Sequence, residues 1–119
     1  GLAFKGFPET DDLRGSPALK LQKEIERKNG EIEFGYYDSL VKKFLGREID
    51  GSLEECVENS NVALLLTNHP NLMGLDNGLF LDNASRPLLI VDCWGNVNDL
   101  HEINESDVKI FRVGDGTIF

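Results

Sequence analysis

Two cations near the start of the chain could form a site for an anion. Lys5 follows a short apolar run, and Arg14 stands two residues before Ser16. Ser16 and Pro17 predict the start of a helix, with the serine as N-cap and the proline in the first helical position. The backbone N–H groups of a helix N-terminus favour negative charge. Together with Lys5 and Arg14, they would suit a pyrophosphate or a carboxylate.

The acidic pair Asp11 and Asp12 beside Arg14 has three interpretations. The carboxylates could orient the guanidinium toward a ligand. Alternatively, they only pair with Arg14 at the surface, an arrangement worth under about 1 kcal/mol. With Thr10 they could also hold Mg²⁺, but a magnesium site needs several converging oxygens, and the neighbouring guanidinium opposes the ion. We therefore predict no metal site here.

A second group of chemically capable side chains lies in the later part of the chain. Trp94 could stack on a nucleotide base, although an indole after a strand is more often a packing element. Cys93 could act as a nucleophile beside a histidine, but a buried, inert thiol is the commoner state. Cys56 and Cys93 lack a secretory context, so we expect reduced thiols. His69 and His101 have no carboxylate or cysteine at ligand spacing, and we expect surface or turn roles. No catalytic residue is predicted.

The composition is that of one soluble domain spanning residues 1–119. Hydrophobic residues make up 40% and charged residues 28% of the chain. No apolar run approaches the roughly 18 residues that span a bilayer. The net charge of −9 argues against a nucleic-acid partner, which would require a basic face. We expect a cytoplasmic protein with no membrane or nucleic-acid partner. Because the single methionine, Met73, is internal, we also expect a piece of a longer protein.

Apolar runs alternate with amphipathic stretches, which predicts an α/β fold with a mostly parallel sheet flanked by helices. Ligands of such sheets bind beyond the carboxyl ends of the strands. Strands are predicted at 1–5, 31–37, 62–67 and 88–93, the last two in the middle of the sheet, with an edge strand at 109–113. Helices are predicted at 16–29, at 40–45, from a capping box of Ser52 and Glu55, and briefly within 71–85. A turn is predicted at 114–116.

Several motifs resemble those of one known family. The most specific is Gly1-Leu2-Ala3-Phe4-Lys5, followed by Thr10-Asp11-Asp12-Leu13-Arg14-Gly15-Ser16-Pro17-Ala18. Further matches are Tyr37-Asp38, Ser52-Leu53-Glu54-Glu55, Ala63-Leu64-Leu65-Leu66-Thr67-Asn68-His69-Pro70 and Ile90-Val91-Asp92. From Gly1 to about Gly116 the chain resembles the C-terminal, UDP-binding domain of the UDP-glucose/GDP-mannose dehydrogenase family.

The resemblance implies a fold and a set of site residues. Such a domain is a three-layer, Rossmann-like α/β unit that closes over the nucleotide sugar, while an N-terminal domain binds the cofactor NAD. Phe4 and Lys5 would contact the UDP-sugar, and Arg14 would reach the pyrophosphate of NAD. The binding energy of the remote UDP group would help to hold the reacting sugar carbon in place.

Two departures from the family pattern affect this site. The segment Gly6-Phe7-Pro8-Glu9 makes the loop from Lys5 to Arg14 longer than in many relatives. Many relatives also have a substrate-binding arginine directly after the strand that matches Ile90-Val91-Asp92. This chain has Cys93-Trp94-Gly95-Asn96 there. The contact is absent, replaced by Trp94, or supplied from elsewhere, and we include Trp94 among the predicted substrate-binding residues.

The resemblance further implies an enzyme of which this chain is one part. The expected reaction is NAD-dependent oxidation of the C6 hydroxyl of a UDP-sugar to a carboxylate. UDP-N-acetylmannosamine is the first choice of substrate, and UDP-glucose or UDP-N-acetylglucosamine are alternatives. In that family the dinucleotide loop and the catalytic cysteine precede the UDP-binding domain, so this chain alone should be inactive, with Cys93 not the catalytic thiol. The expected partners are the UDP-sugar, the protein's own N-terminal and central domains, and a second subunit in a homodimer.

A function of another class stays open beside this one. A stand-alone, receiver-like binding or regulatory module would use Asp11 and Asp12 as an acidic pocket. In a receiver domain such a pair directly follows the first strand, whereas here the pair comes later and Arg14 stands beside it.

Overall fold

Within residues 1–113, which the computed structural model describes, the chain forms three α-helices and two small sheets. The helices are α1 (Pro17–Lys28), α2 (Leu53–Val57) and α3 (Gly78–Asn83). The strands are β1 (Lys43–Phe44), β2 (Arg47–Glu48), β3 (Val62–Leu65), β4 (Leu88–Asp92) and β5 (Val108–Arg112). Single turns of 3-10 helix cover Pro70–Leu72 and Leu100–Glu102. Each of these helices is too short or too polar to cross a membrane.

The larger sheet is parallel, with the strand order β3–β4–β5. β4 lies in the middle, and its residues alternate between buried and half-buried. Asp92 at the end of β4 pairs in register with Leu65 of β3 and with Arg112 of β5. The three strands therefore end together, at what we call the carboxyl edge: the strand ends plus the segments 66–69 and 93–97 that follow β3 and β4.

Two clusters of buried apolar side chains hold the elements in place. The main core joins the parallel sheet to α2 and α3 and contains Val57, Leu65, Phe80, Leu88, Ile90, Val97, Leu100, Val108 and Ile110. The smaller core contains Leu2, Val41 and Phe44, with partly buried side chains of α1 packed against it. The N-terminal segment and α1 are thereby attached to the hairpin β1–β2.

The predicted fold class is confirmed: the chain is an α/β domain with a parallel sheet and helices. β3 and β4 fall on the apolar runs that predicted them, and β5 overlaps the predicted edge strand 109–113. β3, however, is at the border of the described sheet and not in its middle. α1 begins at Pro17, and Ser16 Oγ accepts the N–H of Leu19 at 3.2 Å. Ser52 Oγ likewise accepts the N–H of Glu55, at 3.1 Å. The turn predicted at 114–116 lies outside the described residues.

The strand predicted at 1–5 is wrong as a sheet strand, because its backbone groups have other partners. The N–H of Leu2 donates to the carboxylate of Asp38 at 2.7 Å, and the carbonyl of Leu2 accepts the hydroxyl of Ser16 at 2.6 Å. The N–H of Phe4 donates to the carbonyl of Asp12 at 3.0 Å. The segment is thus fixed by two side chains and a loop, and it forms no ladder with β3.

Two further element predictions between α1 and α2 are wrong. The predicted strand 31–37 forms no sheet, although Tyr36 exchanges hydrogen bonds with Asp50 through its N–H and carbonyl. The predicted helix 40–45 is a hairpin, because Leu45 and Gly46 both have positive φ, at 52° and 77°. Positive φ at both central residues is the geometry of a two-residue type I′ turn.

Candidate functional site

The N-terminal segment lies against the carboxyl edge where β3 ends. A Cβ added to Gly1 would be 1.9 Å from Thr67 Oγ1, and one added to Gly6 would be 2.1 Å from the backbone nitrogen of His69. Any side chain at position 6 would displace one of the two backbones, since real Cβ atoms do not approach this closely. The segment from Gly1 to Gly6 is therefore in close contact with residues 67–69, at the edge where ligands of parallel sheets bind.

Phe4 and Lys5 are both exposed on this segment. Phe4 retains 40% of its surface, and Lys5 Nζ lies 5.2 Å from the centroid of the Phe4 ring. A cation at this distance from an aromatic face is held only weakly, so the Lys5 ammonium stays available to an anion. The structure thus places the two predicted UDP-sugar contacts side by side and open to solvent.

Arg14 is bound to Asp12, as one of the sequence interpretations has it. Its Nε and Nη2 donate to the Asp12 carboxylate, with the closest contact at 2.6 Å. The side-chain and backbone donors of Arg14 lower the pKa of Asp12 to about 2, so the carboxylate is charged at neutral pH. The Arg14 side chain is 92% exposed. Because Asp12 also accepts the N–H of Phe4 through its carbonyl, Arg14 is tied to the segment that carries Lys5.

Trp94 follows β4 and contributes to the same edge. Its indole N–H donates to the carbonyl of Leu66 at 3.2 Å, while 54% of its surface is exposed. This hydrogen bond anchors one edge of the indole and leaves the rest of the ring available for stacking. Trp94 and Gly6 therefore contact the same short segment, 66–69, from different parts of the chain.

Asp92 organises the loop on which Trp94 lies. Its carboxylate is fully buried and accepts the N–H groups of Asn96 at 2.8 Å and Val97 at 3.2 Å. Arg112 Nη2 lies 3.3 Å from the same carboxylate and 3.2 Å from the carbonyl of Val97. A guanidinium therefore reaches the end of β4 from the neighbouring strand, not from the residues directly after Asp92.

Sequence reasoning missed Arg112, and the signal for it is the strand order. Asp92 and Arg112 are each the last residue of a strand and are paired in register. Adjacent parallel strands bring their carboxyl ends together, so predicting the order β4–β5 would have brought Arg112 to Asp92.

Several buried polar atoms at the carboxyl edge have no hydrogen-bond partner among residues 1–113. They are Thr67 Oγ1, His69 Nε2, Asn96 Oδ1 and Arg112 Nε. Buried polar atoms are normally paired with protein or water, so an unpaired group of this kind requires an explanation. These atoms would be satisfied by water or by a polar ligand at this edge.

His69 has the turn role that was one of its two expected roles, because its Nδ1 accepts the N–H of Asn71 at the start of a 3-10 turn. It is not at the surface, however: its side chain is 3% exposed, and its Nε2 is 3.4 Å from Glu9 Oε2. Long-range packing brings the two together, which spacing along the chain does not reveal. His101 is exposed, and it does have carboxylate neighbours: its donor atoms and those of Asp99 and Glu102 lie within 4.8 Å of one another.

The cysteines are free thiols, as predicted. Burial, and then the neighbouring carboxylate of Asp92, raise the pKa of Cys93. Burial, and then the charge of Asp50, raise the pKa of Cys56 to about 11. Neither thiol has the depressed pKa of an activated nucleophile.

Comparison with known proteins agrees with the resemblance read from the motifs. The model of the UDP-glucose/GDP-mannose dehydrogenase family, UDP binding domain, matches residues 1–99. A UDP-N-acetyl-D-mannosamine dehydrogenase from Pyrococcus horikoshii is 36% identical over 92 residues, which are 77% of this chain and 20% of that protein. The native structure of a UDP-N-acetyl-mannosamine dehydrogenase from Staphylococcus aureus superposes with a TM-score of 0.69 at 25% identity, covering 97% of this chain and 25% of that one. The chain thus spans a quarter or less of the length of these relatives. It belongs to the UDP-glucose/GDP-mannose dehydrogenase family, as a UDP-binding domain.

Proposed function

We propose that this chain binds the UDP group of a UDP-sugar at the carboxyl edge, as one part of a longer NAD-dependent UDP-sugar 6-dehydrogenase. The observation that carries the proposal is the family match over residues 1–99, which include the segment with Phe4 and Lys5 and the loop with Trp94. The exposure of these three side chains beside segment 66–69 supports it.

Each predicted contact has a chemical role that its geometry permits. The Lys5 ammonium would pair with the diphosphate, since a lysine acts as a point charge toward phosphate. The exposed rings of Phe4 and Trp94 would give the uracil an apolar face to stack on. Each of these contacts is to UDP and not to the reacting C6 carbon, so this domain contributes binding and orientation.

Arg14 is proposed to meet the pyrophosphate of NAD. Its Nε and Nη2 donate to Asp12, and its Nη1 has no hydrogen-bond partner among residues 1–113, which suits a second anion. Bound NAD would supply the acceptor for the hydride that leaves the sugar carbon. Most of the NAD site is proposed to lie on the N-terminal domain of the longer protein, with Arg14 approaching from this domain.

The sugar and the assembly are proposed from the relatives. Both relatives named above are UDP-N-acetylmannosamine dehydrogenases, so we propose UDP-N-acetylmannosamine as the substrate, ahead of UDP-glucose and UDP-N-acetylglucosamine. We propose a homodimer in which this domain contacts the N-terminal and central domains. The chain alone should not oxidise the sugar, because the catalytic cysteine and most of the NAD site are proposed to lie on the other domains of the longer protein.

The direct test is a calorimetric titration of this chain with UDP, compared with the variant Lys5→Ala. Removing one charge-assisted contact to phosphate costs about 1.5 kcal/mol, so Lys5→Ala should weaken UDP binding about tenfold. Lys20→Ala is the matched control, because Lys20 is an exposed lysine on α1. Its affinity for UDP should equal that of the unchanged chain.

A wild-type chain that shows no heat with UDP would contradict the proposal, and so would an equal loss of affinity in both lysine variants. A titration with Mg²⁺ plus acetyl phosphate tests the receiver-like alternative. The pairing of Asp12 with Arg14 disfavours that alternative, since a receiver pocket needs its carboxylates free for Mg²⁺.

A further inference from the structure

His69 is a buried side chain at the carboxyl edge, and its contacts with Asn71 and Glu9 indicate what it does there. Its Nδ1 accepts the N–H of Asn71 at 3.2 Å, at the start of the 3-10 turn Pro70–Leu72. An imidazole nitrogen that accepts must carry a lone pair, so in the neutral ring the proton is on Nε2. We assign this tautomer from the hydrogen bond to Asn71.

The Nε2–H of His69 is directed into protein and not into solvent. The side chain is 3% exposed, and Nε2 has no hydrogen-bond partner among residues 1–113. The nearest ionic group is the Glu9 carboxylate, with Oε2 at 3.4 Å, and the Glu9 side chain is 46% exposed. Of the two residues, Glu9 is therefore the one whose side chain can move. His69 is held in place by its burial and by its hydrogen bond to Asn71.

The loop between Lys5 and Glu9 is attached to His69 at two points. At one end, the backbone of Gly6 lies against the backbone of Asn68 and His69, so closely that no Cβ fits. At the other end, the Glu9 carboxylate faces the imidazole. Lys5 directly precedes the first attachment, so these two contacts set where the backbone of Lys5 lies and from where its side chain extends.

We propose that His69 is a positioning residue for the diphosphate site, which holds the loop between Lys5 and Glu9 through Glu9 and thereby places Lys5 toward the ligand. This inference rests on the proposed UDP function. It adds a group that touches no part of UDP and acts through the loop. With its Oε2 at 3.4 Å from His69 Nε2, the Glu9 carboxylate faces the imidazole and not the Lys5 ammonium.

The test is a double-mutant cycle on UDP affinity, using Glu9→Ala, His69→Leu and the double variant. Each single change should weaken UDP binding about fivefold to tenfold. The double variant should be no weaker than the worse single variant, because both changes break one connection. His69→Gln should bind UDP to within threefold of wild type, since its side-chain amide offers an N–H that can face Glu9 in place of the imidazole. His101→Gln, on the exposed histidine, is the matched control and should bind UDP as wild type does.

A readout without nucleotide separates this inference from the proposed function. In ¹H–¹⁵N spectra, Glu9→Ala should shift the amide signals of Lys5 and Gly6, while His101→Gln should leave them in place. If the wild type fails to bind UDP but these signals shift, the proposed function fails and the positioning of Lys5 by the Glu9–His69 pair stands. If the wild type binds UDP and Glu9→Ala binds it equally well, the inference is overturned. Additive losses in the double variant would overturn it too. Glu9 is an exposed loop residue, so the decisive variant keeps the folded chain even if His69→Leu does not.

Discussion

At the scale of single residues, the proposed site consists of side chains that are exposed at an otherwise well-packed edge. Phe4, Lys5 and Trp94 were all predicted from the sequence, and the structure brings each of them next to segment 66–69 or to one another. Their part in binding UDP stays a prediction. Arg112 and the Glu9–His69 pair were not predicted, because each depends on which strands and loops become neighbours.

Trp94 offers a direct spectroscopic test, since it is the single tryptophan of the chain. With 54% of its surface exposed, the indole should change its fluorescence when uracil stacks on it. Base stacking on an aromatic side chain is worth roughly 1–3 kcal/mol, so Trp94→Ala should weaken UDP binding about tenfold. Trp94→Phe keeps a ring and should bind within about threefold of wild type.

The fluorescence titration also shows what would count against this role. A UDP titration that leaves the emission unchanged while calorimetry detects binding would place the uracil elsewhere. Equal affinity of Trp94→Ala and wild type would show that the indole only packs on the carbonyl of Leu66.

At the scale of elements, the helix start at Ser16 connects the fold to the site. Ser16 is buried and makes two hydrogen bonds: its oxygen accepts the N–H of Leu19, and its hydroxyl donates to the carbonyl of Leu2. Ser52 makes the capping bond to Glu55 in a more exposed position. The two serines are therefore a natural pair for comparison.

Ser16→Ala should lower the free energy of unfolding by about 2 kcal/mol, since it removes a cap and leaves the Leu2 carbonyl unpaired. Ser52→Ala should lower it by about 1 kcal/mol, the usual value of a single cap. Urea denaturation followed by circular dichroism measures both. Equal losses in the two variants would show that the bond from Ser16 to Leu2 adds no stability.

The elements also show where sequence patterns suffice for prediction. Serine caps correctly predicted α1 and α2, and continuous apolar runs correctly predicted β3 and β4, because the signal for each lies within its own residues. The segments 1–5 and 31–37 have strand-like patterns, but Asp38, Ser16 and Asp50 supply their hydrogen-bond partners. The hairpin at 43–48 was mistaken for a helix because Leu45-Gly46 lacks the Asn-Gly signature of its turn. The two strand predictions failed because the partners of those segments are distant in sequence. The helix prediction failed because the turn has unusual residues.

At the scale of the whole molecule, Asp38 links the N-terminal segment to the smaller core around Leu2, Val41 and Phe44. Asp38 is 4% exposed, and its carboxylate accepts the N–H groups of Leu2, Leu40 and Val41. Burial disfavours its charged form, but these backbone donors outweigh burial, and the pKa of Asp38 is lowered from its ordinary value of 3.8.

A lowered pKa in the folded state means that ionised Asp38 stabilises the fold. This contribution is fully present above pH 3.8 and is lost as the pH falls through the lowered pKa of the folded chain. Asp38→Asn should lower the free energy of unfolding by about 2 kcal/mol at neutral pH, since a charged hydrogen-bond acceptor is lost. It should also make stability fall less steeply below about pH 4 than in wild type.

Urea denaturation at several pH values measures this difference. Asp11→Asn is the matched control, as Asp11 is an exposed aspartate of the same N-terminal region. An acid-induced loss of stability that is as steep in Asp38→Asn as in wild type would contradict the role given to Asp38.

The central claim is that UDP binds at the carboxyl edge, and mapping of chemical shifts on the ¹⁵N-labelled chain tests it most directly. The largest shifts on adding UDP should fall on the amides of Phe4, Lys5 and Gly6 and on the indole N–H of Trp94. The amides of the hairpin Lys43–Glu48, where a cavity of about 310 Å³ is lined by Lys42 and Lys43, should stay unchanged. Shifts confined to that hairpin, or no shifts at saturating UDP, would contradict the account.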